Sequence, residues 1–558
     1  ALRRGRVKAR GKFMGPWGKV GPKRSEDRGP GVGRGRRTAP FTALRRGRVK
    51  ARGKFMGPWG EVGLKRSEDR GPGVGRIPHL PPLGLGREPS GVPEAPSATR
   101  PVPSAEPRVV ALRPPPCVVH EDEDLLVVHK PSGWNTHAPA PFAGEGIYDW
   151  LRHREPRWAS LAIVHRLDKD TSGLMVFGKT PVANKSLTSQ FARRQVHKEY
   201  VLVTDRPVRR PEFVIQSRLS RVGDRYVSRS MAEAGDVAET RFRVDRVEGT
   251  STWLTAEPVT GRTHQIRVHA ASEGFPLVGD PLYGGTPASR LHLHAHRLEL
   301  THPATGKPMR FEVQPDFAAS PAERLRQAFV APEETNAFRQ LHGASDGVPD
   351  LYVDRLGDWM LVQGENPPSE MILGSWTGTG VMGAGPRGVY FKRRLRQVRQ
   401  TSSEEASPRL IRGEAAPERF VVRENGVEYG LGMGEGYSVG LFLDQRDNRR
   451  RLLTRHVAAE FPLYEQAGSP PEVLNCFAYT CAFSVCAALG GARSTSLDLS
   501  RNYLDWGRDQ FRRNGLDPAA HDFIYGDVFD WLKRLAKKQR RFDVVLLDPP
   551  TFSRSREH

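Results

Sequence analysis

Short runs of β-branched and aromatic residues, separated by turn-forming residues, occupy the chain from Val109 to about Pro315. They include LLVVHK, LAIVHRL, LMVFGK, KEYVLVT and STWLTAEPV. Runs of this kind are typical of β-strands, and few long stretches with helical periodicity lie between them. The pattern therefore predicts a sheet-dominated α+β domain in this part of the chain.

The pattern changes twice after Glu334. TNAFRQLHGASDGVPDLYVDRLGDWMLVQ predicts a strand, a turn and a second strand, whereas strands and helices alternate from Phe420 onwards. Such alternation indicates a parallel α/β sheet. A chain of 558 residues is long enough for several cores. We predict a multidomain protein with a sheet-rich α+β domain at 108–325, a small β-rich domain at 331–415 and an α/β, Rossmann-like domain at 416–558.

Most of the positive charge precedes these domains. The net charge of the chain is +23, and residues 1–107 hold 25 Lys and Arg against 8 Asp and Glu. Residues 1–34 recur as 43–76 with a period of 42, and the Pro-rich segment 77–107 follows. Because these segments are rich in Gly, Arg and Pro and poor in aliphatic residues, we predict a disordered basic tail and a linker.

The duplicated segment allows two interpretations. It is either a basic arm whose Arg and Lys contact RNA phosphates while Trp17 and Trp59 stack on bases, or a duplication without a selected function. A strongly basic chain favours a polyanionic partner, of which nucleic acid is the commonest. The Arg-rich start also resembles an organelle transit peptide, although Ser is scarce in it.

The four cysteines show no spacing typical of a metal site or a disulfide framework; they are Cys117, Cys476, Cys481 and Cys486. We therefore expect no metal and a reducing compartment. The sequence has neither an apolar run of the roughly 20 residues that a membrane span needs nor a secretory signal. These observations predict an intracellular protein without a membrane partner, in the cytoplasm, or in an organelle if the source is a eukaryote.

The first candidate site is centred on LAIVHRLDKDTSGLMVFGK, in which Asp168 lies between two apolar strands. We predict that TSG, the segment 171–173, forms a turn. A carboxylate held in a loop between rigid elements and beside Arg166 is suited to act as a nucleophile or a base.

Further motifs follow this segment in a fixed order. VHKEY contains Tyr200, and VTGRTHQIRVHAASEGFPLVGDPLYG contains Arg267. Taken singly, Asp168 could cap a turn, Tyr200 could be a core aromatic and Arg267 could be a surface strand residue. The ordered set of motifs is what indicates a catalytic site.

HRLD-x-x-TSG, K-x-Y, GRTHQIRVH and GDPLYG, in this order, resemble the motifs of RluA-type RNA pseudouridine synthases over residues 108–320. KPSGWNTHAP resembles the early K-P-x-G element of that family, and HLHAHRLELTHPATG resembles its closing strand. The resemblance implies an enzyme that isomerises uridine in RNA to pseudouridine without a cofactor or a metal.

The resemblance also implies a role for each candidate residue. Asp168 would attack the anomeric carbon of the uridine or assist cleavage of the glycosidic bond. Arg166 would fill the space left by a flipped uridine. Tyr200 would pack against the base and serve in proton transfer, and Arg267 would pair with Asp168.

A second candidate site lies in residues 473–550, which we predict to fold as β-α-β-α-β-α-β. Asp498 ends the second strand of this region, 23 residues after Asn475. Nucleotide-binding α/β folds hold ribose hydroxyls with an acidic residue at about this spacing. The region contains no G-x-G-x-x-G motif, which disfavours a dinucleotide.

Together with GYSVGLFLDQRDNR and FDVVLLDPPTF, this region resembles large-subunit rRNA methyltransferases of the RlmI and RlmK type, which implies S-adenosylmethionine as the cofactor. The implied cofactor site comprises Asp444, Asn475, Phe477, Tyr479, Asp498 for the ribose, Asp527 for the adenine, and Asp548 in the DPP motif beside the target base. For each aspartate the alternative is capping at a strand end.

Two features depart from this family. Cys481 and Ala482 stand where the family has two glycines, so we expect side chains to crowd the backbone near the cofactor. The sequence ends shortly after DPPTF, so we expect either a fragment or an inactive methyltransferase half, with any catalytic cysteine in the missing region. We interpret the three cysteines of this half as small core residues.

Three hypotheses about function follow. The first is a bifunctional RNA-modification protein with a pseudouridine synthase and a methyltransferase domain. The second is a synthase whose methyltransferase half only positions RNA, and the third is a non-catalytic RNA-binding protein. The rRNA-like second half favours large-subunit rRNA over tRNA as the partner.

Overall fold

The computed structural model describes residues 112–138, 146–377, 385–394, 407–436, 438–459, 461–464 and 469–550. The predictions for the duplicated basic segment, including Trp17 and Trp59, and for the Pro-rich linker lie outside the described residues. None of the helices within the described ranges is long and apolar enough to cross a membrane.

The first half of the described chain is built on one large sheet of eleven strands. These strands are β1 (Val118–Glu121), β2 (Leu125–Lys130), β3 (Ala162–Ile163), β4 (Ser172–Gly178), β5 (His197–Thr204), β6 (Glu212–Val222), β7 (Arg225–Arg229), β8 (Asp236–Glu248), β9 (Ser251–Pro258), β10 (Leu293–Thr301) and β11 (Pro308–Glu312). Their order is β1-β2-β4-β10-β5-β9-β8-β6-β7, with β3 paired to β4 and β11 paired to β10. Only β4 and β10 run parallel among these described strands.

Helices cover both faces of the central strands. The helices of this half are α1 (Ile147–Arg154), α2 (Pro181–Ala192), α3 (Gln265–Ser272) and α4 (Pro321–Phe329). Leu126 of β2 packs with Leu151 of α1 on one face, and its neighbour Val127 packs with Leu187 of α2 on the other. Because β2 and β4 are buried on both faces, their sequences are continuous apolar runs instead of alternating ones.

The predicted turn at 171–173 is wrong in part, because Ser172 and Gly173 already belong to β4. Gly173 has a φ of 125°, and a Cβ there would lie 2.3 Å from the carbonyl oxygen of Ala295 in β10. Only glycine fits such a close approach with this backbone conformation. The parallel pairing of β4 with β10 thus fixes the end of the loop that carries Asp168.

The second half contains several smaller sheets. Its strands are β12 (Ala337–His342), β13 (Tyr352–Leu356), β14 (Trp359–Gly364), β15 (Gly388–Arg393), β16 (Arg409–Gly413), β17 (Phe420–Glu424), β18 (Val427–Leu431), β19 (His456–Ala458), β20 (Phe461–Pro462), β21 (Glu472–Cys476), β22 (Arg493–Asp498), β23 (Asp522–Tyr525) and β24 (Val544–Leu547). Strands β12 to β16 form one sheet in chain order, and β17–β18 and β19–β20 form separate pairs.

The last four strands form a parallel sheet in the order β23-β22-β21-β24. The helices of this half are α5 (Glu370–Thr377), α6 (Arg446–Thr454), α7 (Ala482–Leu489), α8 (Arg501–Arg513) and α9 (Val528–Lys537). Helices α7, α8 and α9 connect successive strands of the parallel sheet, which is the predicted β-α-β-α-β-α-β order. The predicted multidomain fold class, a sheet-rich α+β part followed by a Rossmann-like α/β part, is confirmed.

A buried ion pair fastens α6 to the hairpin before it. Arg449 donates to both carboxylate oxygens of Glu424, at 2.6 and 2.8 Å, and to the carbonyl oxygen of Phe442 at 2.7 Å. Both side chains are at most 2% exposed. Arg449 thereby holds the backbone at the start of the LDQR segment in place.

Candidate active site

An open cavity of about 560 Å³ lies in the first half of the chain, between the segment that precedes β4 and the segment that joins β9 to α3. The end of α2 and strand β5 complete its walls. All four predicted catalytic residues line this cavity: Arg166, Asp168, Tyr200 and Arg267. The structure therefore brings together side chains that are far apart in sequence.

Arg267 lies on α3, not on a surface strand, and it is buried. Its Nη1 is 3.7 Å from Oδ2 of Asp168. The fully buried Asp280 accepts hydrogen bonds from Nε and Nη2 of Arg267 at 2.7 and 2.8 Å. Burial opposes the charge of Arg267, but the hydrogen bonds and charge of Asp280, together with the charge of Asp168, outweigh it and raise the pKa of Arg267. A fixed positive charge therefore faces Asp168.

Lys130, at the end of β2, holds the peptide that follows Asp168. Its buried Nζ donates to the carbonyl oxygens of Pro131, Trp134 and Lys169 at 2.9, 2.7 and 3.0 Å. Burial lowers the pKa of Lys130 to about 7, even though nearby carboxylates act in the opposite direction. The K-P-x-G element thus serves as a brace for the loop that carries Asp168.

Tyr200 lies on β5, with its ring packed in the core beside the cavity. Burial, and secondarily the negative charge of Asp168, raise the pKa of its phenol. Tyr200 is therefore protonated near neutral pH. In this state the hydroxyl is suited to donate a hydrogen bond or a proton toward a bound base.

Arg166 is exposed at the rim of the cavity. Its Nη2 donates to Oγ1 of Thr263, on the opposite wall, at 2.6 Å. An exposed, long side chain with one such contact can leave it without a large cost. Arg166 is thus placed where it can move as a nucleotide enters.

His264 and Tyr283 also belong to this site, although neither is among the residues predicted from the sequence. Nε2 of His264 is 3.9 Å from Oδ2 of Asp168, and Nδ1 is 2.8 Å from the hydroxyl of Tyr283. The backbone N–H of Tyr226 donates to the same hydroxyl at 3.0 Å. Burial lowers the pKa of His264, with Asp168 acting in the opposite direction. His264 lies in the GRTHQIRVH motif and Tyr283 in the GDPLYG motif, and these positions could have indicated from the sequence that both residues belong to the site.

In the second half, Asp498 ends β22 beside the loop that follows β21. Its Oδ2 accepts a hydrogen bond from the backbone N–H of Tyr479, and its Oδ1 accepts one from that of Ser500, both at 2.8 Å. Burial raises the pKa of Asp498, and these backbone donors act against that rise. The carboxylate thus holds the loop and still lies at the carboxyl end of a parallel strand.

Of the other predicted cofactor residues, Phe477 and Tyr479 follow β21, Asp527 follows β23 and Asp548 follows β24, whereas Asp444 precedes α6. Asp527 caps α9, where it accepts hydrogen bonds from two backbone N–H groups, and Asp444 and Asp548 are exposed. Burial raises the pKa of Asp548, and the negative charge of Asp444 adds to this rise. Asn475 is 1% exposed, and its Nδ2 donates to Oγ of Ser484 at 3.0 Å, so its side chain is part of the core.

The loop between β21 and α7 has an unusual backbone. Phe477, Tyr479 and Cys481 have φ values of 58°, 49° and 61°, in the left-handed region. The expectation that Cys481 crowds the cofactor side of this loop is wrong, because its Sγ is directed at α8, where a Cβ on Gly507 would lie 2.4 Å from it. Because Gly507 has no side chain, there is room for Cys481, which stands where the family has a glycine.

These residues fit S-adenosylmethionine. Asp498 can accept hydrogen bonds from ribose hydroxyls, because each carboxylate oxygen has a second lone pair. Phe477 and Phe529 have ring centroids 6.3 Å apart, and Phe529 is 66% exposed, which offers an aromatic face to an adenine.

Comparisons with known proteins identify the first half. Residues 124–272 match the family model described as RNA pseudouridylate synthase. "Ribosomal large subunit pseudouridine synthase C" of Salmonella typhimurium is 35% identical over 216 residues, which are 36% of this chain and 67% of that protein. The chain belongs to the RNA pseudouridylate synthase family. The matched segment contains Arg166, Asp168, Tyr200 and Arg267, whereas Asp280 and Tyr283 lie beyond it.

The second half of the chain matches a different family. Residues 387–556 match the family model described as S-adenosylmethionine-dependent methyltransferase. The Bacillus subtilis protein named "Putative ribosomal RNA large subunit methyltransferase YwbD" is 33% identical over 241 residues, which are 42% of this chain and 57% of that protein. The chain thus spans less than two thirds of the length of this relative.

Among solved structures, "Human RNA Pseudouridylate Synthase Domain Containing 4" aligns with 38% of this chain and 92% of its own length. The alignment has 26% identity and a TM-score of 0.30.

Proposed function

We propose that this chain isomerises specific uridines in RNA to pseudouridine. The observation that carries the proposal is the carboxylate of Asp168, which lines an open cavity 3.7 Å from the guanidinium of the buried Arg267. A carboxylate in this position can attack the anomeric carbon of a uridine or assist cleavage of its glycosidic bond. Arg267 stabilises negative charge at the site while the bond is broken.

The other lining residues complete the proposed reaction. A uridine in folded RNA must leave its stack to reach the cavity, and Arg166 at the rim can occupy the space that it leaves. The protonated Tyr200 packs beside the base and can donate a hydrogen bond as the uracil rotates and rejoins through carbon. This chemistry requires neither a metal nor a cofactor.

We propose large-subunit rRNA as the substrate, ahead of tRNA. The printed names of the relatives of both halves refer to the large ribosomal subunit. In bacteria this substrate would place the protein in the cytoplasm. We further propose domains at 108–325, 331–415 and 416–558, the last of which would bind S-adenosylmethionine through Asp498, Asp527 and Phe477, with Tyr479, Asp444 and Asp548 nearby. When bound, the cofactor would supply a methyl group for an RNA base.

The decisive experiment maps pseudouridine in large-subunit rRNA and in tRNA, both transcribed without modification, after incubation with the purified chain. We expect conversion at defined uridines of the rRNA. Asp168→Ala should lower the rate at least about 1,000-fold, as for other nucleophiles. Asp170→Asn, which alters an exposed carboxylate two residues away, should retain the rate. If the wild-type chain binds RNA but converts no uridine, the chain is an RNA-binding protein and not a synthase.

A further inference from the structure

A second, smaller cavity lies between the large sheet and α4, separate from the candidate active site. Its volume is about 190 Å³, and its polar lining comes from β2, β4, β10, α4 and the segments before β10 and before α4: His129, Ser172, His294, Arg290, Asp316, Arg324 and Gln327. Ser132, which also lines it, donates to the carbonyl oxygen of Asp170 at 2.6 Å. The cavity is therefore directly behind the loop that carries Asp168.

Arg290 brings a buried positive charge into this cavity, and its side chain donates to no carboxylate there. Its side chain donates to three neutral oxygens: the carbonyls of Leu291 and Asp316, and Oγ of Ser172. The residue is 6% exposed, and within the described ranges no carboxylate pairs with it. Three of its five N–H groups are used, so two remain to bind a ligand.

Arg324, on α4, adds a second guanidinium to the cavity wall. It pairs with Asp316, and its Nη1 donates to Gln327 at 2.8 Å. Its Nε is buried and has no hydrogen-bond partner among the described residues. The cavity lining thus holds two guanidinium groups and one carboxylate, which is paired with Arg324, and this leaves a net positive charge.

The histidines of this cavity are neutral and do not change its net charge. Ser172 and the carbonyl oxygen of Val313 engage both ring nitrogens of His294. Burial, followed by the repulsion of Arg324 and Arg290, lowers the pKa of His129 to about 4, so its ring is neutral. Burial and Arg324 lower the pKa of Arg290 only to about 10, so its guanidinium keeps its charge near neutral pH.

A buried charge that lacks a counter-ion is costly, and in folded proteins such charges are normally paired. We propose that this cavity binds a small tetrahedral oxyanion, inorganic phosphate or sulfate, as the counter-ion of Arg290. A single water needs only about 10–15 Å³ of such a cavity volume, so the space suffices for a small ion of this kind. The bound anion links α4 to the start of β4 and thereby stiffens the loop of Asp168.

The test is thermal unfolding of the full chain in a buffer free of oxyanions, with and without 10 mM inorganic phosphate. Sodium chloride keeps the ionic strength equal. We expect phosphate to raise the midpoint by about 3 °C, as a ligand specific to the folded state does. Arg290→Gln should abolish the rise, and Arg310→Gln, which removes an exposed arginine of β11, should retain it.

Arg324→Gln provides a second variant, because this partly exposed side chain can be changed with less risk to folding, and it should at least halve the rise. The proposal is overturned if the wild type shows no rise, or if both cavity variants keep it in full. In a further sample, a short oligoadenylate replaces the inorganic phosphate. A rise with the oligonucleotide and none with phosphate would show that the ligand is an RNA phosphodiester and would overturn the free ion as occupant.

Discussion

At the scale of single residues, the candidate active site depends on the ion pair between Arg267 and Asp280, although Asp280 does not line the cavity. Asp280 is fully buried and fixes Arg267 by two hydrogen bonds. Arg267 in turn faces Asp168. Asp280 therefore sets the orientation of the Arg267 guanidinium beside Asp168, although Asp280 itself does not line the cavity.

Asp280→Asn tests this dependence. The amide keeps the volume but removes the nearer of the two negative charges that face the buried Arg267. We expect a loss of about 3 kcal/mol in the free energy of unfolding and at least a tenfold drop in the rate of pseudouridine formation. Glu248→Gln, which breaks an exposed ion pair with Arg246, should change stability by less than about 0.5 kcal/mol. Urea unfolding and single-turnover assays measure the two effects; unchanged values for Asp280→Asn would contradict the assigned role.

His165 makes the stability of this region depend on pH. Nε2 of His165 accepts a hydrogen bond from the backbone N–H of Val176 at 3.0 Å. Burial, and then the positive charge of Lys198, lower the pKa of His165 to about 3. Since the unfolded chain takes up this proton near pH 6.5, stability is complete above that pH and decreases as the pH falls toward 3.

We therefore expect the wild-type chain to lose about 1–2 kcal/mol through His165 between pH 7 and pH 5. In His165→Gln the amide oxygen can accept the same N–H bond without titrating, so the loss over this range should be smaller. His137→Gln, at an exposed histidine, should behave like the wild type. The measurement is the urea midpoint of each protein at pH 7 and at pH 5. An equal fall in the midpoint for His165→Gln and for the wild type would refute the prediction.

At the scale of elements, the loop between β21 and α7 and helix α8 are adapted to each other. Cys481 has a left-handed backbone conformation, which is unfavourable for a residue with a Cβ. Its buried side chain occupies the space over Gly507. A small residue on α8 thus compensates for a larger one in the loop.

Gly507→Ala should be destabilising by about 1–3 kcal/mol, because the added methyl group meets Sγ and Cβ of Cys481. Adding Cys481→Gly should restore at least half of the loss, since it removes the clashing atoms and suits the left-handed backbone. Gly434→Ala, where a Cβ meets no atom within 4 Å, is the matched control. A double-mutant cycle measures the coupling, and additive effects would show that the two residues do not interact.

At the scale of the whole molecule, the chain joins two sites with separate chemistry. The candidate synthase site is formed by residues of the large sheet and α3, and the candidate cofactor site by the ends of β21, β22 and β23. Among the residues that the structure describes, none of those named for one site belongs to the other. Damage to one site should therefore leave the chemistry of the other intact.

Asp498→Asn tests this independence. The substitution removes the negative charge and places an amide N–H₂ against the backbone donors of Tyr479 and Ser500. We expect the affinity for S-adenosylmethionine to fall at least tenfold, by about 1.4 kcal/mol or more, while pseudouridine formation is unchanged. Asp509→Asn, at an exposed residue of α8, should alter neither. Calorimetric titration and pseudouridine mapping on the same preparations give both values, and a parallel loss of both activities would show that the sites are coupled.

Much of this protein was predictable from the sequence because the relevant signals are local. Apolar runs and turn residues predict strands and their order along the chain, and the change to alternating strands and helices predicts the parallel sheet. The ordered motifs around Asp168, Tyr200 and Arg267 indicated a common site, and all three residues do line one cavity.

Only the tertiary structure decided which side chains meet. Strand β10 lies between β4 and β5, and this order cannot be derived from periodicity, because it depends on contacts between distant segments. Such contacts pair Arg267 with Asp280, bring His264 to Asp168 and bury Asn475 in the core. They also leave Arg290 buried without a carboxylate. The sequence by itself determined the elements and the chemistry they carry, whereas packing determined the partners of each charge, since burial and proximity are properties of the folded chain.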